Sequence, residues 1–269
     1  MLRKLIRHEF RATDRMMWPI FAAMLALTFA MRLSQRVLQS DSHWLLNLLA
    51  MFIVVGFVFG FMALSLTPLV VSAIRFRDHI LKDEGYLTLT LPVSMHQLLA
   101  SKLIVSAVWY AAAAVFMVLL ICLLGFTDAS DWLVIPNLFS EAFHLLGKLD
   151  APTRTQAILF VAEFFLNCVL GVTAVSLIVY AAYAVGYSFN KHKSALTAVF
   201  VIVFFQLVQF AAIAVLVGSL FDGFTAWSNL NGVQAGNAFL AIALAGELAV
   251  CAIFYFITWY FTTQKLNLE

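Results

Sequence analysis

Charge is scarce in this sequence. Only 11% of the 269 residues are charged, whereas 64% are hydrophobic, and the mean hydropathy is +0.97. A soluble domain of this size carries far more charge, and its apolar runs stop well short of about 18 residues. The composition therefore excludes a soluble protein and predicts an all-α integral membrane protein. A net charge of +2 is also too small to indicate a nucleic-acid partner.

Motifs for catalysis and metal binding are missing as well. The sequence has no GxxxxGK[ST] motif to hold nucleotide phosphates, and no HExxH or GxSxG motif. Its cysteines, Cys122, Cys168 and Cys251, lie in apolar runs without CxxC spacing, which predicts neither a disulfide framework nor a metal site. We expect no enzymatic activity and no cofactor in this chain.

Long apolar runs are what the sequence does have, and they predict six membrane spans in one domain, residues 1–269. The second run is on the order of 45 Å long as a helix, against a hydrocarbon core of about 30 Å, so it must tilt or bend, and Pro68 supplies a kink. The spans are Met17–Met31, Trp44–Ile74, Leu103–Leu124, Thr155–Phe189, Ala195–Leu220 and Asn237–Phe261.

Three smaller patterns accompany the spans. Residues 1–15 place apolar and basic side chains on different helical faces, which predicts an amphipathic helix at the membrane interface. A second amphipathic helix is predicted within the outer loop 125–154. Gly56 and Gly60 form a GxxxG step, where the backbone of another span or of a second copy can approach closely.

Lysine and arginine set the predicted orientation. With the N-terminus inside, the inner segments hold 12 of these 16 residues and the outer segments hold 4. Since inner loops of membrane proteins are enriched in basic residues, both termini are predicted to be cytoplasmic.

The most elaborate inner segment is residues 75–102, RFRDHILKDEGYLTLTLPVSMHQLLASK. Gly85 breaks a helix, Pro92 keeps Leu91 out of helical geometry, and Ser94 with Gln97 has the spacing of a capping box. A helix is therefore predicted to start at Met95 and to run into the third span. A simple connector would need only a few polar residues, so this segment is typical of a contact surface.

The stretches GYLTLTLPVS and QLLASKLI, with the opening MLRKLIRHEFRATDRMMWPI, make the chain similar to ABC-2-type transporter permeases, the membrane subunits of bacterial ABC exporters. The similarity is strongest over residues 1–35 and 75–105. It implies a cytoplasmic coupling helix between spans two and three that docks on a separate ATPase. The implied coupling residues are Asp83, Glu84, Gly85, Tyr86, Leu89, Leu91, Pro92, Ser94, Met95 and Gln97.

The resemblance also implies an ATPase dimer that binds ATP and Mg, a second permease subunit (the same chain or a related one), and a place in the bacterial plasma membrane. The expected activity is export of a hydrophobic or amphipathic peptide, antibiotic or lipid.

Polar residues inside the spans leave alternatives open. Asn and Gln in spans are more often interhelical contacts than ligands, whereas a buried glutamate is costly and points to a protein interface or a hydrated cavity. The chain could instead be a stand-alone channel or proton-coupled carrier that uses the glutamates, or a non-transporting immunity or assembly protein. The candidate pathway or interhelical residues are Glu163, Asn167, Gln206, Gln209 and Glu247.

Overall fold

The computed structural model describes residues 2–38, 43–81, 93–126, 131–189, 191–227 and 230–265, with the backbone alone over 219–227. All regular structure in these ranges is helical, which confirms the predicted class. A π-helical turn, Arg77–Leu81, extends α2, and a 3-10 turn, Asp131–Leu133, precedes α4. The helices are α1 (Leu2–Leu38), α2 (Trp44–Phe76), α3 (Met95–Gly125), α4 (Val134–Lys148), α5 (Ala151–Gly186), α6 (Lys193–Trp227) and α7 (Gly232–Gln264).

Six of the described helices are long and apolar enough to cross a membrane, as predicted; α4 is the short one between them. Helix α2 agrees with the predicted second span to within two residues, and α3 begins at Met95 as the Ser94 cap predicted. Helix α4 falls in the loop where an amphipathic helix was expected, and none of its side chains is buried.

The stretches predicted as an interfacial helix and as the first span belong to one continuous helix. Residues 2–38 form one helix, with Pro19 inside it. A proline removes one backbone hydrogen bond and tends to kink a helix, but a membrane helix tolerates it when neighbouring groups compensate. At 37 residues, α1 is about 55 Å long, so its basic first half can extend beyond the hydrocarbon core.

The chain divides into two compact units, of which the first comprises Met1–Ser72 and Ile104–Phe139. Stacked aromatic rings join its helices: Trp109 stacks on Phe10 with ring centroids 4.9 Å apart, and Phe21 stacks on Phe116 at 4.7 Å. A methyl group on Gly60 would lie 2.7 Å from Met24 Sδ, so the neighbours of Gly60 are side chains of α1 in the same chain and not another backbone. Gly56, the other half of the GxxxG step, has open space around it.

The second unit comprises Ala73–Leu103 and Ser140–Glu269. Helix α5 packs along α7 and against α6. Its C-terminal half is almost entirely buried and shares an apolar cluster with Phe254 of α7. Where α5 ends, Gly186 meets α6 so closely that a methyl group there would lie 2.8 Å from the backbone of Thr197.

Candidate functional site

The segment predicted to contact an ATPase is described at its two ends. Helix α2 and its π-helical turn lead into this segment. The structure describes the chain again from Val93, where it leaves the segment and approaches α3. Ser94, Met95 and Gln97 of the predicted coupling set belong to that exit. The other members, Asp83, Glu84, Gly85, Tyr86, Leu89, Leu91 and Pro92, lie outside the described residues.

The entry to the segment is fixed by buried side chains. Phe76, at the end of α2, is fully buried, and its ring stacks on Tyr180 of α5 with centroids 4.4 Å apart and planes 6° from parallel. Ile80 and Leu81 of the π-helical turn are also buried. The chain therefore leaves α2 attached to the C-terminal half of α5.

The exit is fixed by a helix cap and by α7. The Ser94 hydroxyl accepts a hydrogen bond from the Gln97 backbone N–H at 3.3 Å, which stabilises the first turn of α3. In the same turn, His96 Nδ1 lies 2.5 Å from the Tyr255 hydroxyl, and the imidazole stacks on Trp259. Leu98 and Leu99 then bury their side chains.

Lys102 joins the exit to the entry. This side chain is 4% exposed, and its ammonium donates to the Arg75 carbonyl at 3.4 Å. A buried lysine is unusual, and here it supplies a charged donor to a carbonyl in the last turn of α2. Entry and exit thus meet at the contact between Lys102 and the Arg75 carbonyl.

A second polar feature lies between α5 and α7. The Asn237 amide donates to the Gln156 carbonyl at 3.1 Å, and the Asn167 amide donates to the Leu240 carbonyl at 3.3 Å. Further in, Glu247 Oε1 lies 3.1 Å from the position that a methyl group on Gly171 would take. These contacts advance in the same direction along both helices, so the two helices run parallel.

We call Glu163, Asn167, Asn237 and Glu247 the polar seam, and their side chains share one unusual feature. One side-chain oxygen of each of the four is buried and has no hydrogen-bond partner among the described residues. Buried oxygens are normally satisfied, so protons on the carboxyl groups, ordered water or a bound donor must complete the seam. Beyond Glu247, towards the C-terminal ends of both helices, the apolar side chains of Leu177, Ile178 and Phe254 pack together.

The structure therefore brings together three of the five intramembrane residues singled out from sequence, Glu163, Asn167 and Glu247. Gln206 and Gln209 are separate from them and exposed on α6. Asn237 was missed as a site residue because an asparagine at the start of an apolar run resembles a span boundary. A weak signal was available, since Asn237 and Glu247 lie ten residues apart on similar sides of one helix.

Known proteins offer no match to this chain: a scan of protein-family models, a search of curated proteins and a search of solved structures each returned none.

Proposed function

We propose that this chain is the membrane-spanning subunit of an ATP-driven exporter of the ABC-2 type. One observation carries the proposal: both ends of the 82–92 segment are anchored in the compact unit that contains α5, α6 and α7. A loop that only joins two spans needs no such attachment. A segment that transmits a partner's movement does, because packed side chains and hydrogen bonds carry energetic coupling between sites.

The mechanism follows from these anchors. The partner ATPases bind ATP and Mg, and their movement displaces residues 83–97, which form the coupling surface. Phe76 on Tyr180 and His96 on Tyr255 pass this displacement to α5 and α7. Repeated at two permease subunits, the motion alternately opens the pathway between them to either side of the membrane.

Orientation and cargo complete the proposal. The excess of lysine and arginine places the segment and both termini in the cytoplasm of a bacterium, where the ATPase resides. The spans are rich in aromatic residues and poor in charge. They suit a hydrophobic or amphipathic cargo, such as a peptide, an antibiotic or a lipid.

Charge reversal in the coupling segment tests this function. The tagged full-length chain, purified from the membranes of its own host, should bring with it a subunit that hydrolyses ATP. Glu84→Lys should lower the co-purified ATPase activity at least several-fold without reducing the amount of chain in the membrane. Glu141→Lys is the matched control, since Glu141 is exposed on α4 and should have no effect. Full ATPase recovery with Glu84→Lys and with a scrambled 83–91 segment would contradict the proposal.

A proton-coupled carrier is the second candidate, and the unpartnered oxygens of Glu163 and Glu247 favour it. Liposomes that contain only this chain, loaded with a pH-sensitive dye and given a pH step, separate the two functions. A carrier or channel moves protons in this assay, and Glu163→Gln with Glu247→Gln abolishes that flux. The permease proposal predicts no flux above that of protein-free liposomes, because its pathway needs the ATPase to open.

A further inference from the structure

Helix α4, Val134–Lys148, separates its side chains into two faces. Around the helix axis, the polar residues fall within an arc of about 100° and the apolar ones within an arc of about 180° on the other side. The polar face carries Asn137, Ser140, Glu141, His144 and Lys148. The apolar face carries Ile135, Leu138, Phe139, Phe143, Leu145 and Leu146.

The part of the chain that the structure describes leaves the apolar face of α4 uncovered. No residue of this helix is buried. Phe143 is 72% exposed, Phe139 64% and Leu138 60%. Removal of apolar surface from water is favourable in proportion to its area, and large exposed apolar patches mark sites of contact with a protein or a membrane. The apolar face of α4 therefore needs an apolar surface outside the chain.

The start of α4 is held at the end of α3. Trp132, two residues before α4, packs edge-on against the ring of Phe126, with centroids 5.1 Å apart. Phe126 directly follows α3, and its carbonyl accepts a hydrogen bond from the Arg32 side chain near the end of α1. Both α1 and α3 are long and apolar enough to cross a membrane. Helix α4 therefore begins at the membrane surface where these two spans end.

The end of α4 is held close to the membrane by its short link to α5. Only two residues separate Lys148 from Ala151, the first residue of α5. The large exposed apolar side chains of α5 begin at Ile158, about 10 Å further along that helix. This distance is close to the thickness of the headgroup layer, about 5–8 Å on each side of the hydrocarbon. With both ends at one membrane surface, α4 must lie along that surface over its length of about 22 Å.

We propose that α4 lies in the headgroup layer of the membrane, with its apolar face between the acyl chains and its polar face towards water. This membrane surface is opposite to the one that carries residues 75–102, because α3 connects the two. In the orientation proposed above, it is the outer leaflet. The inference goes beyond the proposed function, since it requires neither an ATPase nor a cargo.

The charges of α4 assign the class of lipid. On the polar face, the carboxylate of Glu141 offsets the ammonium of Lys148. Asp131 and Asp150 add negative charge just before and just after the helix. Helices that bind anionic lipids carry an excess of lysine and arginine, which α4 does not have. The lipids that it contacts are therefore held by their acyl chains, and a neutral headgroup suffices.

Labels on the two faces of α4 test this placement. In the full-length chain, the three native cysteines are replaced by alanine. Single cysteines are then introduced by Leu138→Cys or Phe139→Cys on the apolar face and by Glu141→Cys or His144→Cys on the polar face. All four positions are exposed, so access to water alone predicts the same environment for each. Each cysteine is coupled to a polarity-sensitive fluorophore, and the chain is reconstituted in phosphatidylcholine liposomes that contain a phospholipid with a nitroxide quencher on its acyl chain.

Labels at positions 138 and 139 should emit at shorter wavelength and be quenched about threefold more strongly than labels at positions 141 and 144. Addition of phosphatidylglycerol should leave this quenching unchanged. Ala142→Lys, which puts a charge in the middle of the apolar face, should reduce the quenching at position 139 to that of the polar face. His144→Lys puts the same charge on the polar face and is the matched control. Thermal midpoints in detergent should be equal for both variants, because neither side chain is buried.

Three results would overturn the inference. The first is equal emission and equal quenching at all four labelled positions. The second is quenching at positions 138 and 139 that appears only when the chain is diluted in lipid, since another copy would then cover the apolar face. The third is quenching that grows with the content of phosphatidylglycerol, which would contradict the assigned class of lipid.

Discussion

At the scale of single residues, one buried hydrogen bond links two helices of the first compact unit. The Trp109 indole N–H of α3 donates to the Thr13 hydroxyl of α1 at 2.7 Å, and both residues are buried. The same hydroxyl donates to the Glu9 carbonyl at 3.0 Å. Thr13 is therefore the acceptor that allows a polar indole group to lie inside this apolar core.

Thr13→Val should lower the thermal stability of the purified chain, because it leaves the indole N–H buried without an acceptor. The expected loss is about 1–3 kcal/mol, read as a lower midpoint of thermal aggregation in detergent. Thr28→Val is the matched control: Thr28 is also buried in α1, but its hydroxyl donates only to the Met24 carbonyl of its own helix. Equal midpoints for the two variants would show that the indole bond contributes nothing.

At the scale of helices, α5 and α6 meet at a point where only glycine fits. Gly186→Ala would place a methyl group 2.8 Å from the Thr197 backbone, so the two helices would have to separate. We expect a loss of stability of about 1–3 kcal/mol, as in other cases of overpacking.

Gly246→Ala is the control for this substitution, since nothing lies within 4 Å of the added methyl group. Alanine is the better helix former, so this variant should be unchanged or up to about 1 kcal/mol more stable. Thermal midpoints measured side by side give the comparison, and a drop of the same size in both variants would contradict the packing argument.

Helix bounds could be predicted where a local signal marks them. Ser94 marked the start of α3, and the apolar run from Trp44 marked α2. The start of the first span has no such mark, because α1 runs without interruption through Pro19 and from charged into apolar residues. Local sequence also carries no signal for which helices pair, so the contact between Asn167 and Leu240 could be found only in the structure.

At the scale of the whole molecule, the distribution of basic residues predicts one orientation in the membrane. In a chain with its native cysteines replaced, Lys191→Cys should react with an impermeant thiol reagent only after the cells are opened. Asp150→Cys should react in intact cells. Lys191 is exposed between α5 and α6, and Asp150 is exposed between α4 and α5. Labelling of Lys191→Cys alone in intact cells would reverse the orientation and remove the coupling segment from the cytoplasm.

The most direct test of an ATPase partner is capture from the coupling surface itself. A photo-crosslinking amino acid replaces Gln97, whose side chain is exposed while its backbone N–H keeps the Ser94 cap. Leu138, 60% exposed on α4, is the control position. After irradiation of the host's membranes, the account predicts that position 97, and not position 138, gives an adduct that a photoreactive ATP analogue also labels. Adducts at position 97 that never contain an ATP-binding polypeptide would contradict it.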